Sequence, residues 1–343
     1  MRDVRCAYLA EFPRAEGLHC SSTSVRKVLE FDGMQISEAL AFGLGSGLGF
    51  FYVENNGGSP SRVINGRAPD LEGAFFRHVK SPLNWAGHWD PQAMVRTLEA
   101  GRPLLAQTDL YYLPYYQPPV HFPGHGLVIV GVDLHEATVR VAAQGFPDIQ
   151  TTSLENLKQA MASVAPPLLE DPYRWAPVPE LDPHVMERPE AFRAALQRTV
   201  TLMEGPGTLP GLPAMERFAR SLPHWAALKD ALWCARFAYQ AIRKRGTDGA
   251  SFRRLYAGFL REAETFIPEL GETGSAALYD EAAGRWENLA ALFKEVFASG
   301  ETARLKACAL EAERLAAAEQ VALEGLKKAL TSHGNARGAR SES

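Results

Sequence analysis

The sequence predicts an α+β chain: an N-terminal domain of mixed helices and strands, followed by an all-α helical domain. Three observations carry this prediction. A cysteine opens a helix in Gly17-Leu18-His19-Cys20-Ser21-Ser22-Thr23, where Ser, Thr and Gly supply N-cap chemistry and Val25, Val28 and Leu29 recur at helical spacing. Much further along, a Pro123-Gly124 turn presents His125 at the mouth of an apolar run ending at Asp133, which reads as a buried strand. From Ala191 onward the apolar residues fall at three and four spacing almost without interruption.

Length and composition fit a two-domain enzyme. The chain has 343 residues, 46% of them hydrophobic and 22% charged, enough for a sizeable core. A formal net charge of -4 argues against nucleic acid as the main ligand, because phosphate neutralisation needs a basic surface. Cys6, Cys20, Cys234 and Cys308 form no CxxC pair, so neither a metal site nor a disulfide framework is predicted, and no cofactor is implied. No apolar run reaches the length of a membrane span and no signal peptide is evident, so the expectation is a cytoplasmic protein without membrane contact.

In chain order, the Cys20 helix is followed by the glycine-rich stretch Gly43 to Gly49 and the aromatic strand Phe50-Phe51-Tyr52-Val53. That stretch lacks the Gly-Lys-Ser/Thr ending of a P-loop and precedes a strand, so it reads as a tight backbone crossing beneath that strand. Asp90 to Gly101 is a short helix with Asp90 as N-cap and Pro91 as first helical residue. Leu104 to Asp109 is a strand, and Tyr111-Tyr112-Leu113-Pro114-Tyr115-Tyr116 leads toward His125. Those rings either pack a loop or, through Tyr112, Tyr115 and Tyr116, wall a substrate groove. After the His125 strand, a turn over 134–137 leads into an alternating partner strand, Thr138 to Ala142, and Ser153 caps a helix over Leu154 to Met161. The proline-dense stretch 166–190 reads as a linker. Residues 1–165 are thus expected to form the catalytic domain, 191–330 the helical domain and 331–343 a disordered tail.

A cysteine at a helix N-terminus has its thiolate stabilised by the free N–H groups and the positive end of the dipole. With a histidine opening a distant strand, it supplies the parts of a papain-like nucleophile and base. The sequence also resembles the family of the butirosin biosynthesis protein H. The matching stretches are Leu18 to Thr23, Ala39 to Phe50, and Tyr112-Leu113-Pro114-Tyr115-Tyr116 leading to His121-Phe122-Pro123-Gly124-His125, with fainter matches at Phe237-Ala238-Tyr239, Phe252 to Tyr256 and Phe259 to Ala263. The resemblance implies a papain-like cysteine hydrolase/acyltransferase domain followed by a helical domain. It further implies acyl transfer from an acyl carrier protein or other thioester donor to a small-molecule amine acceptor, because the name-giving member moves an aminoacyl group onto an aminoglycoside.

The third member of such a site is where this sequence departs from its relatives. Ala143 stands where the family's acid is expected. Asp133 cannot substitute, lying roughly 26 Å along the strand from His125 at about 3.3 Å per residue. Gln144 and Asp148 are the candidates to orient His125, the alternative being a Cys20–His125 dyad. His19 and His121 are rivals for the base and, failing that, substrate-contact candidates. His19 directly precedes the nucleophile, and His121 lies before the turn.

In the helical domain, Trp225, Trp233, Trp286, Phe237, Phe252, Phe259 and Phe293 are expected to form the core. Arg253 or Arg254 is a candidate to reach toward the first domain. Leu305, Leu310, Leu315 and Leu323 on the last helix are expected either to make a homodimer seam or to dock that helix. Three functions stay open from the sequence: a cysteine acyltransferase; an amidase, peptidase or thioesterase of the same chemistry; and a non-catalytic binding protein on a decayed papain-like fold.

Overall fold

The chain is mixed α/β, with the main sheet toward its N-terminus and helices dominating its C-terminal half. A computed structural model describes residues 5–117, 121–165, 171–205 and 210–338. It divides into two compact units, Met1–Ala41 with Val79–Val185, and Phe42–His78 with Met186–Ser343.

The first unit is built on a seven-stranded sheet centred on the strand His125–Asp133. Eight of its nine residues are buried, as a continuous apolar run in a central strand demands. Its first half pairs antiparallel with Leu104–Thr108, in a register that sets Thr108 opposite His125. Its far end pairs on that same edge with Cys6–Tyr8, Cys6 facing Asp133. The other edge carries Thr138–Ala142, with a register shift between Ile129 and Gly131. Asp133 therefore lies at the opposite end of the strand from His125. The helix Cys20–Phe31 packs on this strand through Val25, Val28 and Leu29, which are fully buried. Each contributes about 1.5–3 kcal/mol of apolar burial.

The stretch 166–190, expected as a linker, is in part an element of this sheet. Arg174–Pro177 pairs with Leu104–Thr108 on one side and with Ala86–Gly87 on the other, while 166–170 lies outside the described residues. Proline density misled here because Trp175 and Ala176 are buried between the prolines and supply the strand.

The second unit corrects the expected domain boundary. The hairpin of Leu48–Glu54 and Arg62–Arg67 forms its own two-stranded sheet and groups with the C-terminal helices. The cause is the aromatic face of the first strand. Phe50 packs on Phe218 and Trp286, and Tyr52 on Phe218 and Trp225. A Cβ on Gly43 would meet the Phe259 ring at 1.8 Å, and one on Gly49 would meet the Ala68 nitrogen at 2.9 Å. Glycine at these two positions serves close approach, as the sequence reading expected.

Arg253 seals the arrangement. Fully buried, it pairs with Glu319 at 2.5 Å and donates to the carbonyls of Gly49 and Gly66 at 3.1 and 2.9 Å. Arg254 instead pairs with Glu287. Of the seven expected core aromatics all but Trp233 are buried, Trp233 being half-covered. The last helix runs Leu305–Gly338, past the expected end at Leu330, with 339–343 outside the described residues. Leu305, Leu315 and Leu323 are buried in their own unit, and Leu310 alone of the four is exposed.

Candidate active site

Cys20 is the first residue of its helix and is 7% exposed. The N-cap is His19, whose backbone is extended and whose Nδ1 accepts from the Ser22 N–H at 3.4 Å. The cap chemistry expected of serine and threonine thus falls to the imidazole before Cys20. Ser22 and Thr23 send their hydroxyls, at 2.9 Å each, to Glu38. That carboxylate also accepts the backbone N–H groups of Leu18 and His19 at 2.9 and 2.7 Å. Glu38 therefore fixes the turn that delivers Cys20. No spacing signal marks it, since the bonds come from a separate helix, Glu38–Leu44.

His125 is 3% exposed at the start of its strand. Its Nε2 lies 3.1 Å from the hydroxyl of Tyr116. The same hydroxyl donates to the Gln144 carbonyl at 2.5 Å. A phenol has one proton, and that proton is committed to Gln144. The oxygen therefore accepts from Nε2–H, an assignment inferred from the network, and it leaves Nδ1 as the basic nitrogen. Burial raises the Tyr116 pKa, with further contributions from Tyr115 and Cys20. The phenol stays neutral, and Cys20 is its electrostatic neighbour.

The ring nitrogen expected to be held by Gln144 or Asp148 is thus taken by Tyr116. The Gln144 side chain points the other way, its amide donating to the carbonyls of Gly17 and Leu18 at 3.2 and 3.1 Å. Asp148 is 72% exposed and 3.6 Å from Arg14. The outcome is a circuit: His125 to Tyr116, Tyr116 to the Gln144 backbone, and Gln144 by its side chain to the turn before Cys20. Tyr116 also sits edge-on to His125, with Phe146 against both Tyr115 and Tyr116. The aromatic run therefore acts as packing and as a hydrogen-bonding group at once.

Ala143 is buried, and its carbonyl is 3.4 Å from the ammonium of Lys27. Burial drives the Lys27 pKa down to about 8. The place where an acid was expected is thus backed by a buried amine from the helix Cys20–Phe31.

His121 stands apart from this circuit. Its Nδ1 is 2.7 Å from Asp109, and its ring stacks on Tyr111 at 4.1 Å with Tyr112 alongside. Asp109 also accepts from Ser163 Oγ at 2.6 Å and from the N–H groups of Phe122 and Tyr111 at 2.8 and 3.0 Å. Burial works against its charge, but these bonds outweigh it and hold the carboxyl below its ordinary value. The sequence showed Asp109 only as the end of a strand.

The residues 19–143 match the family model of the butirosin biosynthesis protein H N-terminal domain, and 155–326 match a domain of unknown function, DUF4872. The chain belongs to the butirosin biosynthesis protein H-like family. No curated protein matches the chain. Within this family assignment, the first match spans Cys20, Tyr116, His121 and His125 and ends at Ala143, so Gln144 falls one residue beyond it. Among the described residues no helix is long and apolar enough to cross a membrane.

Proposed function

We propose that the chain is a cysteine acyltransferase of papain-like type, which takes an acyl or aminoacyl group from a carrier-protein thioester and passes it to an amine in small-molecule biosynthesis. The observation that carries this reading is the circuit in which Tyr116 holds His125 Nε2 and Gln144 ties that tyrosine to the turn before Cys20. A base held through one nitrogen and a cysteine at a helix start have the makings of a base–nucleophile pair.

In the proposed cycle the Cys20 thiolate attacks the thioester carbonyl carbon. The negative oxygen of the tetrahedral intermediate is met by the backbone N–H of Cys20 at the helix N-terminus. The donor C–S bond breaks, and His125 gives its proton to the departing thiolate. An acyl group is left on Cys20 and a neutral imidazole beside it. The amine then attacks the acyl carbon, His125 takes the proton released, and the Cys20 thiolate leaves. Family membership supports a biosynthetic setting, and the name-giving member acts in butirosin biosynthesis.

Incubation with an acyl N-acetylcysteamine thioester tests this by intact mass. One acyl adduct on Cys20, discharged by added amine to an amide, is expected. An adduct lost to water at the same rate with and without amine would make the chain a hydrolase. Absence of any adduct would end the covalent reading.

A further inference from the structure

We infer that His121, oriented by Asp109, is a second base at this site, and that it deprotonates the incoming ammonium acceptor. The inference rests on the acyl-transfer reading above and extends it to the second half-reaction.

Proton accounting motivates it. An alkylamine arrives near neutral pH as an ammonium ion and must lose two protons to become an amide nitrogen. His125 can accept one, because it emerges neutral from acylation and must regain a single proton to restore the resting thiolate–imidazolium pair. The other proton leaves before attack, since an ammonium ion has no lone pair. A second base would let the ammonium form be used directly, instead of only the small free-amine fraction in solution.

His121 has the form of such a group. Asp109 is fully buried, and its bonds from Ser163, Tyr111 and Phe122 hold it in place and ionised. It takes the Nδ1 proton of His121 at 2.7 Å, which fixes the tautomer with a basic Nε2 on the opposite edge of the ring. The side chain is 41% exposed, whereas His125 is 3% exposed, so a solvated cation can meet the first and not the second. Tyr111 stacks on the ring and Tyr112 lies tilted beside it, an aromatic surround to which a cation is drawn. Location agrees as well. Asp109 directly follows Thr108, which is His125's partner in the sheet and donates to its carbonyl at 3.0 Å. Both histidines therefore lie at one end of the sheet. In the balanced step, His121 Nε2 takes a proton from the ammonium, the free amine attacks the acyl-Cys20 carbon, and His121 passes that proton to solvent.

The test is His121→Gln assayed with two acceptors, an alkylamine and hydroxylamine, the latter being largely unprotonated near neutrality. Acylation of Cys20 by the N-acetylcysteamine thioester should change by less than roughly threefold. Transfer to the alkylamine at pH 7 should fall about 10²-fold. Transfer to hydroxylamine should be nearly unaffected, and the alkylamine deficit should shrink as pH rises and free amine accumulates. Equal losses with both acceptors would reassign His121 to structure or binding, and no loss with either would remove it from the reaction. Failure of the wild type to acylate Cys20 would instead overturn the acyl-transfer reading, and this inference with it.

Discussion

Tyr116 is where side-chain chemistry departs from sequence pattern. A neutral phenol orients the imidazole but does not stabilise imidazolium as a carboxylate does, so on the proposed reading a thiolate–imidazolium pair here would be weaker than in a full triad. Tyr116→Phe keeps the ring packing against Phe146 and removes only the hydroxyl. It should lower acyl transfer by about tenfold or more through loss of tautomer control, and stability by about 1 kcal/mol for the stranded Gln144 carbonyl. Steady-state kinetics beside thermal unfolding separates the two effects. The helix start at Cys20 and the strand start at His125 were legible because such starts leave local marks. Tyr116, Glu38 and Asp109 were not, because their roles depend on bonds between segments distant in sequence. Ala143 was legible as a vacancy. What fills its role comes from another loop.

The helix Cys20–Phe31 carries its own liability in Lys27. A buried ammonium with one carbonyl 3.4 Å away is costly, and burial lowers its pKa from 10.5 to about 8. The native state then holds fewer protons than the unfolded chain between about 8 and 10.5, so the Lys27 contribution to stability improves as pH rises through that window. Lys27→Met should raise stability at pH 7 by about 1–2 kcal/mol, and its advantage over wild type should narrow toward pH 10.5. Urea unfolding of both proteins at a series of pH values measures this. An advantage independent of pH would mean that Lys27 is not desolvated. Ala143→Asp at the neighbouring position should not raise activity while Tyr116 holds His125. In a Tyr116→Phe background it should restore part of the loss, and no recovery would mean that position 143 does not face the His125 ring.

On the scale of the whole molecule, the sequence conveyed two kinds of region but not where the chain changes hands between them. Periodicity located the C-terminal helices well, since Trp286, Leu289, Phe293 and Val296, for example, recur at three and four spacing and are buried on one helix. It was silent on Phe42–His78, whose glycines and aromatics read as a local crossing and in fact belong to the helical unit. The Arg253–Glu319 pair is the polar pin of that unit, and Trp286 also donates to Glu319 at 2.8 Å. Glu319→Gln should destabilise the protein by about 3–5 kcal/mol, because it leaves Arg253 charged, buried and unpaired. Arg253→Met with Glu319→Leu should recover most of that loss. Denaturant midpoints of the single and double variants decide the point.

An activated Cys20 would differ from the other three cysteines in its reactivity, and these supply the internal controls. Cys6 is exposed but its pKa is raised by burial and by Asp133, that of Cys234 is raised by burial, and that of Cys308 is pushed up to about 12. All three are neutral thiols at mildly acidic pH, where only a stabilised thiolate alkylates. Brief iodoacetamide treatment at such a pH, followed by intact mass and peptide mapping, should give one adduct, on Cys20. First modification at the exposed Cys6, with Cys20 untouched, would contradict the account.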